Sequence, residues 1–429
     1  MSRPGTRVPL AALLVVAALL EGATLLWLGR LERGERLALI QAEDTSVYVD
    51  ATRALIETRR WPATTRTLGY PLFLVPGYLA GGEEDGAILS VALQFLLNLG
   101  FTALAWRMLE RLAPDTSTGL RVVLTAAFFW ASFGLASYLL SDFLAALFFG
   151  VFLYGFLFLR SPRALFGTGL ALAAATLTRP TFLLVPLLLP VLALLVDRAT
   201  LPIGWKEVGL LAGFSLAATA LSIAHQVSID GYRGPSPVLT QNLQHTLYAA
   251  LDDTSRSPAA ARGEFEAEIG RRAGRPFTDL TRGEQERQMT RIFKEQLAAH
   301  PAAILKSMAR TSIQYVFAPV ESVPMRRARQ AGDEAAYMTG LRPILTLVCL
   351  PFWLLAIVPP AIRPGRRPFY LLAMLLLLYV VGITAITPMQ GERIRLPVLI
   401  LLLPIMAWNV QGLVPRLARL VPRARPSPG

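Results

Sequence analysis

Ten stretches of this sequence are apolar and almost free of charge: 8–28, 87–106, 122–140, 143–159, 164–178, 181–196, 208–226, 343–362, 368–388 and 396–415. Most approach the ~20 residues that an α-helix needs to cross a ~30 Å hydrocarbon layer. Only 17% of the 429 residues are charged and 54% are hydrophobic. Soluble chains carry about 25% charge. The runs therefore predict an all-α, polytopic membrane protein of about ten transmembrane helices, and they exclude a soluble enzyme, a disordered chain and a disulfide scaffold. Cys349 is the sole cysteine, so no intrachain disulfide can form, and with only His225, His245 and His300 beside it a zinc site is not expected. The run at 8–28 has no small-x-small cleavage site and reads as an uncleaved anchor.

Two segments need a decision. Residues 164–196 would make a single helix about 50 Å long at ~1.5 Å per residue, which overshoots the bilayer. Thr178-Arg179-Pro180 lies near its middle, and a proline disfavours helix at the residue before it. Two spans turning at 178–180 resolve both problems. Residues 302–319 carry Lys306 and Arg310 among apolar residues at roughly helical spacing. That pattern predicts a helix lying in the membrane interface.

Ten spans place both termini on one side. The loops and tails of that side hold 16 basic residues against four acids. Basic residues concentrate in cytoplasmic loops, so this side is expected to be cytoplasmic, in a plasma (inner) membrane. The net charge of +13 is then almost entirely a topology signal, and nucleic acid is not expected as a partner. The expected domains are 1–226, an N-terminal membrane module with a first outer loop at 29–86; 227–342, an outer-face segment with amphipathic helices near 259–273 and 281–299; and 343–429, a C-terminal membrane module.

The outer turns hold the candidate chemistry. Glu43 and Asp44 follow the first span, and paired acids there suit a general base or a metal ligand, or a solvated loop. Ser141-Asp142, Thr178-Arg179-Pro180 and Glu392-Arg393-Ile394-Arg395 occupy further outer turns. Taken singly, Asp142 could cap a helix and the arginines could snorkel. Together, arginines in short outer turns run against the positive-inside tendency and point to a bound anion, with a lipid phosphate the obvious one.

These residues resemble the GT-C superfamily of integral-membrane glycosyltransferases, close to its bacterial mannosyltransferase-like and aminoarabinose-transferase-like branches. Asp44 with Tyr48 and Ala51 resembles an acid-Ser-x-x-Tyr motif after the first span. Gly69-Tyr70-Pro71-Leu72 resembles a Gly-Tyr-Pro-Leu stretch of the same loop. Leu140-Ser141-Asp142 resembles Leu-Ser-Glu, and Leu177-Thr178-Arg179-Pro180 resembles a Leu-Thr-Arg-Pro turn. Gln241 to Tyr248 is similar to the opening of the second outer segment, and His300-Pro301 to an Asn-Pro junction near its end. Glu392-Arg393-Ile394-Arg395-Leu396-Pro397 resembles Glu-Arg-Tyr-Arg-Leu-Pro. The ordered set covers roughly 40–410. It departs at Ile394, where an aromatic is usual, and at Ala224-His225-Gln226, where Trp-x-x-Arg-Asn is usual.

The resemblance implies transfer of a sugar from a polyprenyl-phosphate donor to a lipid, glycan or protein acceptor at the outer face, with inversion. Asp44 would be the general base. Arg179, Arg393 and Arg395 would stabilise the leaving phosphate. Glu43, Asp142 and Glu392 would orient arginines or bind sugar hydroxyls, and Tyr48 and Tyr70 would line the sugar site. No cofactor is expected. A divalent metal held by Glu43, Asp44 and Asp142 is the alternative. Two other classes stay open: a lipid or polar-solute transporter, and a non-catalytic assembly partner that keeps the fold.

Overall fold

The computed structural model describes residues 7–41, 45–59, 67–199, 203–230, 258–302, 305, 306, 309, 312, 350, 351, 353–358, 364–384 and 396–420. Among them the regular structure is entirely helical. In chain order the helices are α1 (Arg7–Gly29), α2 (Arg33–Ile40), α3 (Thr45–Thr58), α4 (Gly69–Leu112), α5 (Thr118–Ala136), α6 (Ser141–Phe158), α7 (Pro162–Thr178), α8 (Val185–Ala199), α9 (Trp205–Asp230), α10 (Pro258–Ala273), α11 (Arg282–Ala299), α12 (Arg367–Thr384) and α13 (Leu396–Leu420). Six stretches of the described residues are long and apolar enough to cross a membrane: Val8–Gly29, Asp85–Leu112, Thr118–Ala136, Ser141–Phe158, Trp205–His225 and Leu396–Leu413. Val185–Val196 and Arg367–Gly382 are shorter apolar helices. The chain is a multi-pass helical membrane protein.

Local chemistry sets the helix ends. Ser117 and Ser161 cap α5 and α7, each side chain accepting from the backbone N–H three residues on. Pro162 stands at the first turn of α7, where its missing N–H costs nothing. At the other end of α7, Pro180 holds Arg179 extended (φ −148°, ψ 129°) and stops the helix at Thr178. A short 3₁₀ turn, Pro180–Phe182, then leads to α8, so the chain turns where the sequence placed the turn. The α4 helix starts well before the apolar run. Pro76 sits inside it, and Gly82 breaks it with φ 62°, a conformation suited to glycine.

The core gathers around α6, which is buried almost end to end. A helix apolar on every side belongs at the centre of a bundle. Phe149 stacks on Phe182 with ring centroids 4.5 Å apart. Phe101 meets Phe128 edge to face at 4.8 Å. Close approach of α7 to α6 depends on a small residue, because a Cβ on Gly155 would collide with the Thr168 side chain. By contrast α1 exposes Val8, Val15, Val16, Leu19, Leu20 and Leu26.

The bundle has two distinct ends. At one, Arg111 at the close of α4 lies over the rings of Tyr154 and Phe158 at the close of α6, 5.0 Å from each centroid. Gln411 of α13 reaches Thr116 in the turn between α4 and α5 at 3.4 Å. Phe369, near the start of α12, packs on Trp408 of α13 at 5.6 Å. At the other end lie the 137–140 turn and the 178–182 turn. Tyr379, ten residues further along α12, donates to the Thr181 carbonyl at 2.5 Å. Thus α12 runs toward the 178–182 end, and α13 starts from it. Leu396, the first described residue after Thr384, is therefore at the same end as Ser141 and Arg179.

The pair α10 and α11 packs Phe265, Ile269, Met289 and Ile292 together with Leu280. Its boundaries follow the sequence expectation of helices near 259–273 and 281–299. Glu284 accepts from the Thr281 N–H at 2.9 Å, a capping interaction at the start of α11. Arg272 bridges Glu268 at 2.7 Å and Glu295 at 2.5 Å. These hydrogen bonds hold both carboxyls below the usual range. The expected interfacial helix at 302–319 and the span at 343–362 lie largely outside the described residues.

Candidate functional site

The segment expected to form the first outer loop is not an open loop. It forms α2, α3 and the start of α4, and hydrogen bonds tie it to the two turns at one end of the bundle. Leu139 is gripped on both backbone groups: its N–H donates to the Ile40 carbonyl at 2.9 Å, and its carbonyl accepts from the Thr45 hydroxyl at 3.0 Å. The Thr67 hydroxyl donates to the Thr178 carbonyl at 2.7 Å. Gly69 follows at van der Waals range, and a Cβ there would lie 2.7 Å from Thr178 Oγ1 and 2.9 Å from Leu177 C and Thr178 N. Inside the loop, the Thr52 hydroxyl donates to the Pro71 carbonyl at 3.2 Å, tying α3 to α4.

Four of the sequence-predicted residues meet in this layer. The Tyr48 hydroxyl and Ser141 Oγ share a hydrogen bond of 3.0 Å. The ring of Tyr48 stands edge-on to that of Tyr70, 5.0 Å between centroids. Asp142, next to Ser141, pairs with the Arg179 guanidinium. The Asp142 side chain is 5% exposed and that of Arg179 14%, so the pair is nearly closed off from solvent. Asp142 does not cap α6: Leu140 stands at the cap, and no side chain bonds it. The carboxylate lies instead in the first helical turn, where the helix dipole favours a negative charge. Asp142 Oδ1 is buried and takes no hydrogen bond of ordinary geometry among the described residues, so the ion pair is what neutralises it.

One organising residue escaped the sequence reading. Gln94 is fully buried in α4. Its Oε1 accepts from the Tyr70 hydroxyl at 3.0 Å, and its Nε2 donates to the carbonyls of Ala136 and Tyr138 at 2.7 Å each. It thus satisfies carbonyls that the end of α5 would leave unpaired. The signal was present, because an amide within an apolar run asks for a partner. Burial, followed by the neighbouring Tyr48 and Tyr78 hydroxyls, pushes the Tyr70 phenol well above its ordinary value, so it stays a hydrogen-bond donor.

Glu43, Asp44, Glu392, Arg393 and Arg395 lie outside the described residues. Their neighbours in the chain are informative. Thr45 is bonded to the 137–140 turn, and Leu396 begins α13 at that same end of the bundle. Among the described residues no group of three His, Cys, Asp or Glu side chains is placed to hold a metal. The described part of the site therefore contains an ion pair, two packed tyrosines and hydroxyls on a rigid backbone frame.

A comparison of whole folds aligns 94% of this chain with 79% of the crystal structure of ArnT from Cupriavidus metallidurans bound to undecaprenyl phosphate, at 13% sequence identity and a TM-score of 0.36. No family model matches the chain, and no curated protein matches it.

Proposed function

We propose that this protein is a membrane glycosyltransferase that moves a sugar from a polyprenyl-phosphate donor to an acceptor hydroxyl at the outer face of the plasma membrane, with inversion. The observation that carries this reading is the convergence at one bundle end. Tyr48, Tyr70, Asp142 and Arg179 share one layer, and Thr45 and Leu396, which adjoin Asp44 and Arg395 in the chain, belong to that end. Alternating spans bring these turns to one end, and the contacts among Tyr48, Tyr70, Ser141, Asp142 and Arg179 join them into one layer there.

In this reading Asp44 takes the acceptor proton as the hydroxyl oxygen attacks the anomeric carbon. The bond from that carbon to the phosphate oxygen breaks, and the polyprenyl phosphate leaves as an anion. Phosphate is already a weak base, so it needs charge stabilisation more than a proton. Arg179, Arg393 and Arg395 supply guanidinium groups, whose forked donors suit phosphate oxygens. Asp142 orients Arg179, a role its ion pair supports. Glu43 and Glu392 are assigned to the remaining arginines or to sugar hydroxyls. Should a divalent metal be required, Glu43, Asp44 and Asp142 are the acids that would hold it, the last only by giving up its pair with Arg179.

The test is product formation by the purified protein with a panel of polyprenyl-phosphate sugars and hydroxyl acceptors, with Asp44→Asn alongside. Glycosylated product from the wild type, and loss of at least a hundredfold in turnover in a folded Asp44→Asn protein, is the expected result. Wild-type turnover in that variant removes Asp44 as base. Passage of intact donor across proteoliposomes without product selects the transporter instead.

A further inference from the structure

Glu21 is the charged residue type that the candidate site does not use and that the bilayer tolerates least. It lies eight residues before the end of α1, inside a stretch apolar and long enough to span the membrane, yet it is turned inward and is 3% exposed. Ala17, Leu25 and Leu28 share that face at helical spacing, while the other faces of α1 are exposed. The seam rests on α4, where Asn98 is fully buried and its Nδ2 donates to Glu21 Oε1 at 2.9 Å.

The pairing is half complete. Asn98 Oδ1 is buried and has no hydrogen-bond partner among the described residues. An ionised glutamate has no hydrogen to offer it. Among the described residues, no cation is paired with that carboxyl. On α4 the nearest charged residues along the helix are Asp85 and Arg107, 13 and nine positions from Asn98, or roughly 20 and 14 Å at ~1.5 Å per residue. On α5, the other helix packed against α1, Arg121 is engaged with the carbonyls of Pro114 and Thr116 at the opposite turn. The neutral acid answers every part of this arrangement. A carboxylic acid carries one donor and one acceptor side by side, as an amide does, and the two close into a ring of two hydrogen bonds.

We propose that Glu21 is a proton-binding site within the bilayer: its carboxyl is held as the neutral acid, accepting from Asn98 Nδ2 through Oε1 and donating the bound proton from Oε2 to Asn98 Oδ1. The pair pins the first membrane helix to α4 in the right rotation. An apolar contact between helices in lipid sets rotation poorly, because the lipid is as apolar as the neighbour. This inference is independent of the glycosyltransferase reading.

The test is an infrared difference spectrum of wild type minus Glu21→Gln in a detergent that lacks ester carbonyls, at neutral pH. The expected difference is a carboxylic-acid C=O stretch above the amide I band, present in the wild type and lost in the variant. Loss of a carboxylate stretch instead shows an ionised Glu21 and overturns the proposal. Asn98→Leu then tests the pairing: the acid band moves to higher frequency when its hydrogen bonds are removed, and an unmoved band overturns the ring. Glutamine reproduces the shape and hydrogen bonding of the neutral acid, so Glu21→Gln is expected to fold with the wild-type melting temperature. Failure to fold would contradict the proposal as directly as a carboxylate band.

Discussion

Replacing Gln94 by leucine keeps the side-chain bulk and removes three hydrogen bonds at once. It strands the Tyr70 hydroxyl and the carbonyls of Ala136 and Tyr138, all in a buried layer. Leaving a buried polar group unpaired costs about 1–3 kcal/mol. Side-chain hydrogen bonds in membrane proteins average nearer ~0.6 kcal/mol, because the unfolded chain in the membrane also finds partners. Three groups then bracket the loss between about 2 and about 9 kcal/mol, and partial relaxation favours the low end, about 3 kcal/mol, near a hundredfold in the folding equilibrium. Tyr70→Phe keeps both aromatic contacts and strands only Gln94 Oε1, so it costs about 1 kcal/mol in the wild type. In the Gln94→Leu background the same substitution removes a hydroxyl that is already unpaired, and its cost falls to zero or below. The coupling between the two sites is therefore about 1–2 kcal/mol. Reversible unfolding of the four proteins from mixed micelles measures it. If Tyr70→Phe costs the same in both backgrounds, Gln94 is not what holds the Tyr70 hydroxyl, and the frame described for the site is wrong.

Three further outcomes follow from the same layer and a fourth from the spanning part of α4. Because burial raises the Tyr70 phenol above its ordinary 10.0, the folded state keeps a proton that the unfolded chain gives up. Its contribution is complete below about pH 10 and declines above it by about 1.4 kcal/mol per pH unit, so melting temperature against alkaline pH should fall less steeply in Tyr70→Phe. Arg179→Gln leaves Asp142 buried without its counter-charge and should cost about 3–5 kcal/mol, whereas the double variant with Asp142→Asn should regain most of that in an unfolding titration. A methyl at Gly69 meets the Thr178 backbone and should cost about 1–3 kcal/mol by the same assay. At Gly100, where nothing lies within 4 Å, Gly100→Ala should instead stabilise by about 0.5–1 kcal/mol through helix propensity.

The sequence made the membrane helices plain because each is a local pattern. The run at 143–159 became α6, and Pro180 ended α7 at the expected residue. The segment between α1 and the spanning part of α4 was opaque for a physical reason. Its helices α2 and α3 are short, and α4 carries Pro76, a broken Gly82 and the acids Glu83, Glu84 and Asp85 before its apolar stretch begins. What makes these pieces a unit is hydrogen bonding across 93 to 111 residues, from Thr45 to Leu139, Tyr48 to Ser141 and Thr67 to Thr178. Two of these three bonds end on backbone carbonyls, which any residue type can supply, so the receiving positions carry no sequence mark. The resemblance found Tyr48, Tyr70, Asp142 and Arg179 because their side chains are constrained. It passed over Thr45, Thr67 and Gln94, whose work is to hold backbone.

That division bears on how the proposed site would handle charge. A lone arginine at a membrane rim is free to snorkel toward water. Asp142 prevents this for Arg179, but the pair is then neutral overall and nearly closed from solvent. A neutral pair makes a rigid hydrogen-bonding wall and a poor electrostatic trap for a phosphate. In the proposed reaction, excess positive charge must therefore come from elsewhere, and Arg393 and Arg395 directly precede α13, which starts at this end of the bundle. In this reading Arg179 meets the leaving phosphate as a hydrogen-bond donor held in place by Asp142, and Arg393 and Arg395 add the net positive charge that stabilises it.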